Sequence, residues 1–247
     1  MLLALALALH TARLVGLAPR LIWNLCILAL FAALVGSRLL LVALNWIALR
    51  SHPSWLFSLA MVHHPLLAAA GAFFAVLAAG IYMRMVHLPW RITADALAAP
   101  LALGLTFEQI GALLAGSGFG TPASARWAVV YTSAFAAIWS GAPLGVPVHP
   151  VQAYAAAAFL VSALLLLLSL RHRRQGGETA GLAFLLLGAS AYFTEFLRDP
   201  EGRGSVFHGA LDGPQVAAIV CVLLGGLVLL RRESAKIARS PIAGSNG

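Results

Sequence analysis

The sequence predicts an all-α polytopic membrane protein of about seven transmembrane helices, with its N-terminus outside and its C-terminus cytoplasmic. Three observations carry that prediction. Of 247 residues, 61% are hydrophobic and only 10% charged. The hydrophobic residues gather in runs near the ~20 residues that cross a bilayer core. The basic residues between those runs collect on one face, as the positive-inside rule requires of short cytoplasmic loops.

The first run, residues 2–17, lacks the basic leader and small-residue cleavage site of a signal peptide, so it reads as a helix. The next spans are 22–47, 62–86 and 92–115, and after a break come 150–170, 178–197 and 214–230. All are helical, because lipid offers no partner to an unpaired backbone group. Residues 127–140 are also apolar, but these 14 residues lie between Pro122 and Pro143 and suit an interfacial or re-entrant segment. Residues 1–231 thus form a single transmembrane domain, and 232–247 a short basic, then flexible, cytoplasmic tail ending SPIAGSNG.

With seven spans, Arg13, Arg20, Arg84, Arg91, Arg171, Arg173, Arg174, Arg231, Arg232, Lys236 and Arg239 share a face, 11 of the 16 Lys and Arg residues. An eighth span through 127–140 would destroy that agreement. The net charge of +8 does not imply a nucleic-acid partner, since the basic residues are spread over four short loops and a tail. Orientation and anionic lipid account for them. Cys26 and Cys221 lie inside apolar runs, without disulfide or metal-ligand spacing. His63 and His64 have no carboxylate or cysteine at ligand spacing, so neither a metal nor a cofactor is expected.

Polar residues recur at one depth. At 1.5 Å per residue, Arg38 lies about 22 Å along span two, Glu108 and Gln109 about 20 to 21 Å along span four, and Glu195 and Arg198 about 26 to 30 Å along span six. His149 and Gln152 open span five at the same side, and Gln215 opens span seven. Ionisable groups inside a membrane face a cavity or one another, so this shared level predicts a polar cavity in the outer leaflet. Snorkelling arginines and a Glu195–Arg198 pair one turn apart are the bland alternative for any one of them.

Three segments carry chemistry. Residues 111–122, GALLAGSGFGTP, end span four in a glycine-rich turn whose Gly118 and Gly120 permit close backbone approach to a phosphate or carbonyl. Residues 149–154, HPVQAY, set His149 as a base near neutral pH, Gln152 to orient a hydroxyl or carbonyl, and Tyr154 at the interface. Residues 195–204, EFLRDPEGRG, bring arginine forks suited to phosphate beside acids suited to pairing.

From about Gly16 to Leu230, through LVGSRLL, DALAAPLALG, GALLAGSGFGTP, HPVQAY, EFLRD and the late Gln215, the chain resembles the prolipoprotein diacylglyceryl transferase family. The resemblance implies a multi-pass enzyme of the bacterial cytoplasmic (inner) membrane. Such an enzyme moves the diacylglyceryl group of phosphatidylglycerol onto the lipobox cysteine in the signal peptide of a lipoprotein precursor, and releases glycerol phosphate. It implies catalytic roles for His149, Glu195 and Arg198, and substrate contacts from Arg38, Glu108, Gln109, Gly118, Gly120, Gln152, Tyr154 and Gln215. The family usually carries arginine where Gln109 and Ala191 stand, asparagine or cysteine at Ala112, and an acid at Ala155. It also carries a His-Gly-Gly motif where this chain has residues 68–71. Those departures leave a second expectation, a catalytically impaired relative that binds lipid or a membrane partner. A proton-coupled transporter using Glu108 is a third, without the broken helices or inverted repeat such a protein needs. The sequence sets no oligomeric state.

Overall fold

The computed structural model describes residues 2–51, 65–199, 205–206 and 211–237. His63, His64, Glu201, Arg203 and tail residues 238–247 lie outside them. The helices are α1 (Leu2–Leu14), α2 (Pro19–Leu44), α3 (Trp46–Ser51), α4 (Pro65–Met85), α5 (Trp90–Ala115), α6 (Ala134–Ser140), α7 (Val151–His172), α8 (Glu178–Glu195) and α9 (Gly213–Ile237). Five of these, α2, α4, α5, α7 and α9, contain stretches long and apolar enough to cross a membrane, and the protein is accordingly a polytopic membrane protein. α1 has 13 residues, about 20 Å, and the 18 residues of α8 end in a carboxylate on both sides. Large apolar side chains such as Phe31, Phe73, Val76 and Leu223 are exposed. In water that surface would cost roughly 25 cal/mol per Å², whereas lipid solvates it.

Residues 95–100 of α5 hold the bundle together. Pro100 has no N–H, so the carbonyl of Ala96 loses its helical donor. The Thr11 hydroxyl of α1 supplies one instead at 2.7 Å. One residue earlier, fully buried Asp95 accepts the backbone N–H groups of Gly177 at 2.7 Å and Ala180 at 2.8 Å, and Arg173 Nη1 at 3.0 Å. Its carboxylate therefore caps the N-terminus of α8, where the helix dipole favours negative charge. Ala98, Ala99 and Ala102 then pack on Ala163 and Leu166 of α7 and Ala183 of α8. These small side chains let the helices approach closely, which is how membrane helices gain packing energy. Ala8, Ala12, Ile22 and Leu25 form a second cluster joining α1 and α2, with Ala79, Tyr82 and Met83 of α4 and Leu97 of α5 packed against it.

The two ends of α5 differ. Its buried residues run from Thr93 to Thr106, and none of the nine that follow within the helix is buried. Beyond α5, residues 116–150 build a cap in place of a helix. β1 (Val129–Val130) pairs antiparallel with β2 (Pro147–Val148). Pro122 bridges to Val148 on the other side, and Gly120 bridges to Arg198. The apolar run 127–140 therefore supplies a two-residue strand and the seven-residue α6. A second strand pair, β3 (Ser205–Val206) with β4 (Leu211–Asp212), leads into α9. The all-α expectation holds, and among the described residues two pairs of two-residue strands are added to it between helices. Two-residue strands are too short to leave an alternating pattern in the sequence.

Two substitutions test this account by thermal unfolding of the detergent-solubilised protein. Asp95→Ala strands two N–H groups and an arginine, and should cost about 3 kcal/mol, with Arg173→Ala costing less. Gly120→Val should cost about 2 kcal/mol through overpacking, because a Cβ there meets the His149 carbonyl and the Val151 side chain.

Candidate functional site

α5 ends in a Schellman-type turn. Gly116 takes φ +72°, and Ser117 donates its N–H back to the Ala112 carbonyl at 3.0 Å. Gly118 follows with φ +63°, again left-handed, and its carbonyl accepts Arg198 Nη1 at 3.0 Å. A side chain on Gly118 would collide with that same guanidinium, so glycine is required both by backbone and by space. Arg198 also donates Nε–H to Glu195 Oε2 at 2.9 Å, and Glu195 is only 6% exposed. Carboxylate and carbonyl together fix a half-buried cation beside the glycine turn.

Residues 119–123 run between two other segments. Thr121 donates to the Leu197 carbonyl at 3.0 Å and Asp199 donates to that of Phe119 at 3.1 Å. On the opposite edge Gly120 donates to the His149 carbonyl at 3.1 Å, while His149 donates to that of Thr121 at 3.0 Å. The glycine turn, His149 and the Glu195–Arg198 pair thus meet at one end of the bundle. His149 Nδ1 lies 3.4 Å from Tyr154 Oη, which accepts the Trp127 indole N–H at 2.6 Å. An indole N–H only donates, so Tyr154 Oη is the acceptor there, and its contact with His149 Nδ1 takes either direction according to the imidazole tautomer.

Gln152 is fully buried. Its Nε2 donates to the Ser117 carbonyl at 2.7 Å and to Tyr131 Oη at 3.4 Å. Tyr131 in turn donates to the Leu113 carbonyl at 3.3 Å. Burial pushes the Tyr131 hydroxyl above its usual range, and the Gln152 bond acts in the opposite direction, so the group stays protonated at neutral pH. Trp127, Ser117 and Tyr131 were not expected from the sequence. They act through a donor-only indole, a main-chain carbonyl and a long-range contact, and none of these has a spacing signature.

The other expected residues stand apart from this network. Arg38 is exposed on α2, which packs chiefly on α4. Glu108 is exposed on the unburied part of α5 and accepts Gln109 Nε2 at 2.6 Å. Gln215 is buried, and its side-chain oxygen accepts the Asp212 N–H at 3.0 Å. That is one half of a capping box at the start of α9, a structural task. No group of three metal-ligating side chains occurs among the described residues.

The family model for prolipoprotein diacylglyceryl transferase matches residues 1–231. The chain is 27% identical over 216 residues to the phosphatidylglycerol–prolipoprotein diacylglyceryl transferase 2 of Clostridium perfringens, covering 84% of this chain and 77% of that protein. It is 30% identical over 222 residues to the Protochlamydia amoebophila phosphatidylglycerol–prolipoprotein diacylglyceryl transferase, covering 85% of this chain and 57% of that one. It is 34% identical over 138 residues to the protein of that name in Azospirillum brasilense, covering 53% of this chain and 48% of that one. The chain thus spans three quarters of the first relative and about half of the other two. With the match extending over nearly all of its length, the chain belongs to the prolipoprotein diacylglyceryl transferase family.

Proposed function

We propose that this protein transfers the diacylglyceryl group of phosphatidylglycerol to the lipobox cysteine of lipoprotein precursors in the bacterial inner membrane. In this reading α1 and α8 complete a seven-helix domain spanning residues 1–231, with a cytoplasmic tail over 232–247. The N-terminus and the cap lie outside, and the arginine-bearing ends lie in the cytoplasm. The observation that carries the proposal is the meeting of the glycine turn, His149 and the Glu195–Arg198 pair, at the end of α5 where helix packing gives out. A phospholipid reaches such a site sideways from the outer leaflet, and a precursor reaches it from the outer side.

In the reaction the cysteine thiol gives its proton to a base, for which His149 is the candidate, and sulfur bonds to the glyceryl carbon. The bond from that carbon to the phosphate oxygen breaks, and its electron pair leaves on glycerol phosphate. Developing charge on the phosphate calls for fixed positive groups. Arg198 is held for that task by Glu195 and Gly118, and Arg38 supplies a second cation from α2. His149 is the candidate base for the thiol proton, with its ring positioned beside Tyr154. Gly118 and Gly120 let lipid approach the backbone, and Glu108, Gln109, Gln152 and Tyr154 are the proposed further substrate contacts, whereas Gln215 is committed to the α9 cap. No geometric observation favours the non-catalytic alternative.

A transfer assay in nanodiscs, with phosphatidylglycerol and a lipobox peptide, should show lipidation that disappears when the peptide's cysteine is replaced by serine. Lack of any cysteine-dependent product would sink the proposal. In the same assay Arg198→Ala should lower kcat by about 10²-fold or more, and Arg198→Lys should restore only part of it, because an ammonium cannot serve two acceptors and a phosphate in one plane.

A further inference from the structure

Two bonds fix the cap to the C-terminal end of α5. Ser140 Oγ of α6 donates to the Ala115 carbonyl at 2.9 Å, and Tyr131 Oη donates to that of Leu113 at 3.3 Å. Gly116 completes the seam, since a Cβ there would stand 2.9 Å from the Ala136 methyl of α6. The depth of α5 therefore sets the depth of the cap. α5 has 26 residues, about 39 Å, against about 30 Å for a hydrocarbon core and about 40 to 45 Å for a bilayer with its headgroups. With Trp90, and Arg91 stacked on it at 5.2 Å, seated at one interface, Ala115 reaches the headgroup region of the other leaflet. In the orientation proposed above that is the outer one.

A cap standing clear in water would carry charge, and from Trp127 to Leu170 there is no Asp, Glu, Lys or Arg. Its exposed side chains are instead large and apolar, among them Trp127, Phe135, Ile138, Trp139 and Leu144. α6 is one-sided. Ala136 is buried and Ser140 is bonded to α5, while Phe135, Ile138 and Trp139 are 72, 75 and 52% exposed and stand at the i, i+3 and i+4 positions of one stripe. A patch of this kind marks a membrane or a protein contact. Continuity favours the membrane: Leu114 of transmembrane α5 is 81% exposed and borders the same hollow as Phe135 and Trp139, so the lipid-facing flank of α5 runs on to α6. The seven residues of α6 span about 10 Å, too short to cross, and its tryptophan belongs to the residue type that collects at the bilayer interface.

We propose that the cap is an outer-leaflet anchor: Phe135, Ile138 and Trp139 enter the bilayer among the upper segments of the acyl chains and hold the glycine turn at the depth of the lipid phosphates. The partner is the bilayer surface itself, so insertion of this face does not depend on the transfer reaction.

The test places a fluorophore at Ile138→Cys of the whole protein, in a Cys26→Ala, Cys221→Ala background, within nanodiscs of phosphatidylglycerol and phosphatidylcholine. A nitroxide carried high on the lipid acyl chain should quench the label at least about twofold more than one at the chain's methyl end, and aqueous iodide should quench it little. The unlabelled protein gives a second reading. Trp139 emission, taken as the difference between wild type and Trp139→Phe, should fall in lipids brominated high on the chain. If the cysteine-free chain does not fold, the Trp139 difference decides alone. Strong iodide quenching without a response to the lipid quenchers places the cap in water and overturns the proposal. Protection from every quencher, as under a second copy or another protein, overturns it as well. Neither measurement needs a peptide or turnover, so either result leaves the transferase reading to its own assay.

Discussion

A backbone group left unpaired in lipid has no water to turn to, and the bundle is organised around two such groups at one level of α5. Pro100 frees the Ala96 carbonyl, and the chain answers with a hydroxyl from α1. The first N–H groups of α8 lack helical acceptors, and the chain answers with Asp95. Because residues 95 and 96 are neighbours, one turn of α5 receives α1, the start of α8 and Arg173 together. Alanines then let α7 and α8 close on the same helix, and close packing replaces the hydrophobic drive that lipid does not provide.

That anchoring is one-sided, and the one-sidedness makes room for a site. Every buried residue of α5 lies in the part up to Thr106, so the last turns keep polar side chains such as Glu108 in reach of space that helices do not fill. Helical structure stops there, and the freed main-chain groups of residues 119–123 are satisfied by two other segments of the chain, His149 on one edge and residues 197–199 on the other. The short strands of the cap thus bring together residues that are far apart in sequence. Glycine at 118 and 120 is what permits the approach, since one side chain would strike Arg198 and the other His149.

Two glutamines in the site region keep an amide oxygen without a donor among the described residues, Gln109 and Gln152. Gln109 stands where the resemblance to the family implies an arginine, and it donates to its neighbour Glu108. An amide cannot supply the charge of a guanidinium, so in the proposed reaction the weight of phosphate binding falls on Arg198, whose own geometry is set by Glu195 and the Gly118 carbonyl.

The sequence by itself determined the helices to within a few residues, because the period and length of apolar runs are local properties that lipid enforces. Predicted spans at 22–47, 92–115 and 150–170 became Pro19–Leu44, Trp90–Ala115 and Val151–His172. Local chemistry also marked the glycine turn, HPVQAY and the Glu195 to Arg198 segment as places where polar groups sit against expectation. Only the tertiary structure decided which of them meet. Gly120 reaches His149 and Arg198 across gaps of 29 and 78 residues through main-chain bonds that any sequence can make, so no residue pattern announces them. It likewise took Gln215 into a helix cap and put Trp127 and Tyr131 beside the expected residues, because which donor finds which acceptor depends on how the helices pack.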